Sequence, residues 1–397
     1  MNEVRALVEA FDDANMRGER CALATVVNVE GSSYRRPGAR MLVCEGGTST
    51  GTISAGCLES DVIEHAKRVI VTSVAKIIEY NTASTSDEMA WGLGLGCNGI
   101  VRVLVEPLAT DSLYVEALRL SCRAPVVVAT VYRHELAGPA PNSLQIKTGA
   151  RILIADDGSA RSDKLSGSLA AVLESEVRVL SQVESGVHIL DVGDGPVTMF
   201  IETLMPPVPL VIFGAGHDVL PIIELARNLG WQTEVVDPQA RPISVERFAI
   251  ADKVTLSRPE DIAAKVTITS RTFTLLMSHN YAYDLVMLKF LLASPAPYIG
   301  IMGPRDRTKR MLSELAMNER LFRLQEADAS RLYSPAGLDI GSNSSAETAV
   351  SIVAEIRAVL EGRRGGMLRE LQGSIHDRIA HVECAPLTEQ MVTVAVA

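Results

Sequence analysis

Leu210-Val-Ile-Phe-Gly-Ala-Gly-His-Asp-Val219, continued by Glu234-Val-Val-Asp237, is the stretch whose reading decides the fold. Leu210 to Phe213 form an apolar run suited to a strand buried on both faces. Gly214-x-Gly216 then supplies a tight turn whose backbone can approach a pyrophosphate closely. Val219, Leu220, Ile222, Ile223, Ala226 and Leu229 recur at helical spacing, and Gly230 stands where a left-handed C-terminal cap belongs. A second strand, Gln232 to Val236, ends at Asp237, about twenty residues past Gly216, where an acidic side chain takes a ribose hydroxyl pair. Val219 stands in place of the third glycine of the fingerprint. The expectation is a Rossmann-like, doubly wound parallel sheet.

Further strands are expected at Asp252–Leu256, Phe273–Ser278 and Tyr298–Met302. His279-Asn280 falls at the carboxyl end of the fourth strand, the edge where ligands lie in open α/β sheets. Two readings of His279 stand together: a helix-capping or carbonyl-bonding group, and a ligand or proton-transfer group. The helix from Tyr281 to Leu292 carries Asp284 in its first turns. Gly303-Pro-Arg-Asp-Arg-Thr-Lys-Arg310 opens the next helix with four basic residues. A phosphate there would meet both backbone donors and cations, with Arg305 foremost. Asp237 favours an unphosphorylated ribose and Arg241 a 2′-phosphate, so NAD and NADP both remain open. Ser344-x-x-Glu347 is a capping box for a helix ending near Leu360.

Toward the N-terminus, Leu204-Met-Pro-Pro-Val-Pro209 reads as a linker, giving a mixed α+β domain over 1–205 and a Rossmann-like domain over 206–366. Residues 367–397 are an appendage. In the first domain Cys21–Val29, Ala39–Cys44, Ala75–Tyr80 and Ile100–Val105 read as strands, with Gly46-Gly47 as a hairpin turn. Residues 149–205 read as further strands or short helices of a mixed sheet. Val62, Ile63, Ala66, Val69 and Ile70 share a helical face, which puts Cys57 just before that helix or in its first turn. Backbone N–H groups and the helix dipole favour a thiolate there. Cys97 lies among glycines in Trp91-Gly-Leu-Gly-Leu-Gly-Cys97-Asn-Gly99. Neither belongs to a Cys-x-x-Cys pair, which argues against structural zinc. Cys21, Cys44 and Cys122 read as small buried apolar residues.

At 397 residues the chain exceeds one ordinary core. A formal charge of -10 argues against general nucleic-acid binding. No apolar run reaches membrane-spanning length. The acidic, amphipathic start does not resemble a secretory signal. Six cysteines without an export signal fit a reducing compartment, and the expected location is the cytoplasm.

Taken in order, Gly31-Ser-Ser-x-Arg-x-x-Gly38, Ile53-Ser-Ala-Gly-Cys-Leu-Glu59, Gly94-Leu-Gly-Cys97, Gly214-Ala-Gly-His217 with Asp237-Pro, Ser278-His279 with Asp284, Tyr298-Ile-Gly300 and Ser334-Pro-x-Gly-Leu-Asp-Ile-Gly341 resemble the xanthine dehydrogenase accessory factor family, the XdhC and CoxI proteins. The resemblance spans the chain to about residue 366. Family members often have Gly-Gly-Cys where this chain has Ala55-Gly56-Cys57, and Cys-Gly-Gly where it has Cys97-Asn98-Gly99.

The resemblance implies a maturation factor that is not itself an oxidising enzyme. It would bind the molybdenum cofactor (molybdopterin) as cargo, protect it while a cofactor sulfurase installs its sulfur, and deliver it to a xanthine dehydrogenase-type molybdoenzyme. It also implies a homodimer. On this reading the Gly214-x-Gly216 turn is one wall of a cofactor cleft and the other carries the two cysteines. Cys57, Cys97 and His279 are the candidate reactive residues, the cysteines as molybdenum neighbours. Gly214, Gly216, His217, Asp237, Asn280 and Arg305 are the candidate cofactor-binding set. The competing readings are an NAD(P)-dependent oxidoreductase with His279 as acid or base, a component of a xanthine dehydrogenase itself, and a thiol redox sensor on Cys57 and Cys97.

Overall fold

The computed structural model describes residues 2–31, 33–54, 56–81, 99–135, 146–165, 167–181, 185–192, 195–318, 326–371 and 382–383. The chain divides into two compact units, essentially 3–206 and 207–375.

The first sheet of the N-terminal unit contains β1 (Cys21–Gly31), β2 (Arg40–Cys44), β3 (Ser49–Gly51), β4 (Lys76–Asn81) and β5 (Gly99–Leu108), in spatial order β3-β2-β1-β5-β4 and antiparallel throughout. Because successive strand residues point to opposite faces, Ala22, Ala24 and Val26 pack on the helix Glu59–Thr72 while Cys21 and Leu23 pack with the helix Asn2–Met16. Val62, Ala66, Val69 and Ile70 form the buried stripe of the helix Glu59–Thr72. Cys21 and Cys44 face each other across β1 and β2 and are buried.

The second sheet contains β6 (Val126–His134), β7 (Arg151–Ala155), β8 (Ala160–Asp163), β9 (Gly186–Asp191) and β10 (Pro196–Leu204), in order β9-β10-β6-β7-β8, with the two-residue strand Val382–Glu383 beside β9. Among the described residues, the apolar runs of 149–205 thus resolve into four strands and the helix Gly167–Leu180. Between the two sheets Arg151 pairs with Glu106 and Arg40 with Glu202, all four side chains nearly inaccessible to solvent.

The C-terminal unit is the parallel sheet expected from the glycine turn. It contains β11 (Pro209–Phe213), β12 (Gln232–Asp237), β13 (Lys253–Leu256), β14 (Phe273–Leu276), β15 (Tyr298–Ile301) and β16 (Leu332–Tyr333), in order β13-β12-β11-β14-β15-β16. The strand order reverses at β11, which places the ligand-side crevice beyond the carboxyl ends of β11, β12 and β14. The helix after the glycines departs from expectation: His217–Val219 form a single 3-10 turn, and the α-helix runs only from Leu220 to Asn228. Val219 is fully buried there, and Pro221, which has no N–H to leave unpaired, fits the first turn. Ser344 and Glu347 form the expected reciprocal capping box on the helix Ser345–Leu360.

Candidate functional site

At the end of β11 the backbone turns through Gly214 (φ +149°), and Gly216 lies so close to Asp218 that an added Cβ would sit 2.2 Å from its Oδ1. Asp218 Oδ2 also lies 2.8 Å from His279 Nε2. His279 follows β14 and is held at φ +57°, a left-handed conformation uncommon for a residue with a side chain.

Its neighbours fix it there. Ser278 Oγ donates to Asp284 Oδ1 at 2.5 Å, the Asn280 N–H donates to Ser278 Oγ at 3.1 Å, and the Asn280 side chain caps the helix Tyr281–Leu292 by accepting from the Tyr283 N–H. Asp284 is buried, and its other oxygen accepts from Arg307 Nη2 at 2.8 Å. In the tautomer whose Nε2–H donates to Asp218, the ring's lone pair lies on Nδ1. The His279 side chain is 63% exposed.

The other sequence candidates lie apart from that pair. Asp237 is completely buried at the end of β12, where its carboxylate accepts from the Gln239 N–H, the Arg241 N–H and Nε, and Ser244 Oγ. Burial pushes its pKa up, but Ser244, Arg241 and the two backbone donors outweigh burial and hold it below the ordinary carboxylate value. His217 is exposed on the 3-10 turn, and Arg305, also exposed, is the first residue of the helix Arg305–Asn318. Asn280 serves the helix as its cap.

In the N-terminal unit Cys57 sits one residue before Leu58, the N-cap of the helix Glu59–Thr72, and is half-buried against the first-sheet core. Glu59 folds back over the preceding loop. Its carboxylate accepts from the backbone N–H groups of Ile53, Ser54 and Gly56 and from Ser54 Oγ, while Ser54 Oγ accepts from the N–H groups of Cys57 and Leu58. Cys57 is therefore presented by a loop closed on the Glu59 carboxylate, whose charge the helix start favours. Cys97, with Gly94 and Gly96, lies outside the described residues.

Burial raises the pKa of Glu59, and its hydrogen bonds, led by that from Ser54, outweigh the effect and hold it below the ordinary value. A group whose folded pKa is depressed contributes stability above its unfolded value, about 4.3, and loses it as pH falls through the lower folded value. In a Cys57→Ser protein, which has no thiol there to titrate, the Gly56 and Leu58 amide resonances should stay constant from pH 8 to about 5 and move only below the ordinary glutamate range. Movement centred above pH 5 would remove Glu59 as the loop's organiser.

Sequence reading missed Asp218, the ring's partner, although its place directly after Gly-x-Gly-His was a signal. It also missed the looping-back of Glu59, whose signal was the Ser54-to-Glu59 spacing. Among the described residues, no group of three or more His, Cys, Asp or Glu is placed to hold a metal ion, and no helix is long and apolar enough to cross a membrane.

Comparison with known proteins places both regions. Residues 14–81, which include Cys57 and Glu59, match the XdhC and CoxI family, and residues 210–356 match the XdhC Rossmann domain. A crystal structure of a xanthine dehydrogenase from Bacillus halodurans aligns with a TM-score of 0.71 at 30% identity, covering 90% of this chain and 97% of that one. The chain belongs to the XdhC and CoxI family. A probable xanthine dehydrogenase subunit of Bacillus subtilis is 29% identical over 339 residues, 85% of this chain and 92% of its own. Within this XdhC and CoxI chain the Asp218–His279 pair, the Asp284 tether and the Asp237 cage all fall inside the Rossmann match.

Proposed function

We propose that this protein is an accessory factor of a xanthine dehydrogenase-type molybdoenzyme. It binds the molybdenum cofactor, shields it while a sulfurase installs the terminal sulfur, and delivers it to that enzyme, acting as a homodimer. Family membership supports the accessory role, and the names of the Bacillus relatives supply the client class. The observation that carries the cofactor part is the presentation of Cys57. A half-buried thiol on a loop closed by Glu59 is a soft, oriented donor for a molybdenum centre, and partial burial limits its loss to casual oxidation.

The full chain should co-purify with molybdenum and pterin when it is produced in cells that make the cofactor. Cys57→Ala should lower the molybdenum content about tenfold or more while leaving the thermal midpoint within a degree or two. Unchanged molybdenum content in both the Cys57→Ala and Cys97→Ala proteins would sink the thiol part. Hydride transfer from a tightly bound dinucleotide would instead favour the oxidoreductase reading.

A further inference from the structure

We propose that the Rossmann unit recognises a phosphomonoester through Arg241 and Arg247, and that it does not bind an unphosphorylated ribose through Asp237. The inference concerns the phosphate alone. It stands whether or not the cargo is the molybdenum cofactor, so the two readings fail separately.

The first observation is that Asp237 has no capacity left. An ionised carboxylate offers about four lone-pair sites. Here Oδ1 accepts from the Gln239 N–H at 2.9 Å, and Oδ2 accepts from Ser244 Oγ at 2.6 Å and from Arg241 Nε and N–H at 3.0 and 3.2 Å. Its side chain has no solvent-accessible surface. A ribose diol would have to evict Ser244 or Arg241 and enter a closed space to reach it. NAD recognition of the usual kind therefore does not fit these residues, although the residue type and position are the expected ones.

The second observation is where that caging leaves the guanidinium groups. Arg241 is anchored along its Nε edge by Asp237, and its Nη2 reaches Ala215 O at 3.5 Å. Arg247, on the short helix Ile243–Arg247, brings Nη1 within 3.3 Å of the same carbonyl. Arg241 has Asp237 as its carboxylate partner, whereas among the described residues Arg247 has none. Two guanidinium groups thus converge on one neutral oxygen of the glycine turn with a single carboxylate between them. Such an arrangement is stabilised by an anion.

Each group keeps unused N–H donors. A phosphomonoester, with three terminal oxygens and close to two charges, suits two guanidinium forks better than a diester with two such oxygens and one charge.

The third observation concerns polarity across the turn. Its β12 side carries Arg241 and Arg247, while its β14 side carries the Asp218 carboxylate, paired with His279. A ligand with phosphate at the β12 end and an uncharged polar group toward His279 matches this gradient. The opposite orientation would set phosphate against Asp218.

Two sources of a phosphomonoester meet the description: the 2′-phosphate of a dinucleotide and the terminal phosphate of a pterin. The test is calorimetric titration of the full-length protein at fixed ionic strength with two matched pairs, NADP against NAD and an oxidised pterin monophosphate against its dephosphorylated form. Inorganic phosphate serves as a control. The phosphorylated member of one pair should bind at least about tenfold more tightly, and the pair that discriminates names the source.

Arg247→Met should reduce that binding about 10- to 100-fold and Arg247→Lys should restore part of it. Neither should change the thermal midpoint, because Arg247 holds no buried carboxylate. If Arg247→Met lowers the midpoint, Arg247→Lys and Arg247→Gln decide: binding that follows side-chain charge supports the site, and equal binding by both overturns it. The proposal is also overturned if neither pair discriminates, if only inorganic phosphate binds, or if folded Arg247→Met binds like the parent protein.

Discussion

Replacing Glu106 with alanine should lower the stability of the N-terminal unit by about 3–5 kcal/mol, the range for breaking a buried ion pair from one side. Arg151 and Glu106 are each 2% exposed, and both guanidinium Nη atoms bond the carboxylate, Nη1 at 2.7 Å. The guanidinium lies 4.1 Å above the Tyr114 ring, and Nη1 also reaches Gly149 O. Arginine does not shed its charge at any accessible pH, so the alanine variant must either bury an unpaired cation or open the space between the sheets.

Tyr114 extends the effect. Its hydroxyl accepts from Arg40 Nε at 2.7 Å and donates to Glu202 Oε1 at 2.9 Å, so the two ion pairs share one aromatic partner.

The control is the double change Glu106→Leu with Arg151→Met, which removes both charges. It should recover most of the loss, since well-packed apolar residues of similar volume often replace a buried pair without penalty. Denaturant midpoints of the full chain, followed by hydrogen exchange at β5 and β7 so that the two units are read separately, provide the measurement. A Glu106→Ala protein within about 0.5 kcal/mol of the parent, the range of ordinary surface changes, would refute the argument. So would a double variant as unstable as the single one.

That network was not legible in the sequence, and the reason is physical. Arg40 and Glu202 are separated by 162 positions and Arg151 and Glu106 by 45; Arg40 and Arg151 open strands that are otherwise apolar, whereas the strands of Glu106 and Glu202 also carry Arg102, Thr198 and Thr203. Charged residues inside apolar runs announce that something is paired, but not with what.

The parallel sheet was legible because its signals are local. Leu210 to Phe213 are buried on both faces, Gly230 takes φ +73° after its helix, and Ser344 and Glu347 satisfy each other within one turn. Asp237 marks the limit of such reading. Spacing placed it correctly at the end of β12, but whether its carboxylate faces a ligand or its own loop depends on Ser244, seven residues on. His279 was correctly set at the carboxyl end of β14, while its strained backbone and its bond to Asp218 depend on contact with the neighbouring turn.

Gly214→Ala should cost the C-terminal unit about 2–6 kcal/mol, from a positive-φ penalty of about 1–3 together with overpacking of about 1–3. The new Cβ would lie 2.3 Å from Met277 O, 2.5 Å from its carbonyl carbon and 2.9 Å from the Ser278 nitrogen. All three are backbone atoms, so no rotamer change relieves them. The two chain segments are also tied in place: the Gly214 N–H donates to Val236 O at 3.0 Å and the Met277 N–H to Phe213 O at 2.8 Å. The clash must therefore push the end of β11 away from the exit of β14, carrying Ser278 and His279 with it.

Gly216→Ala provides the contrast, because its clash is with Asp218 Oδ1 at 2.2 Å, the end of a side chain that can rotate. That variant should keep most of its stability while losing the Asp218–His279 hydrogen bond. Hydrogen exchange at residues 213–214 and 277–279 should accelerate strongly in Gly214→Ala and little in Gly216→Ala. The His279 ring resonances, by contrast, should shift in both. Equal destabilisation by the two substitutions would mean that the close approach of β11 and β14 does not set the position of His279, and the strain at that residue would need another cause.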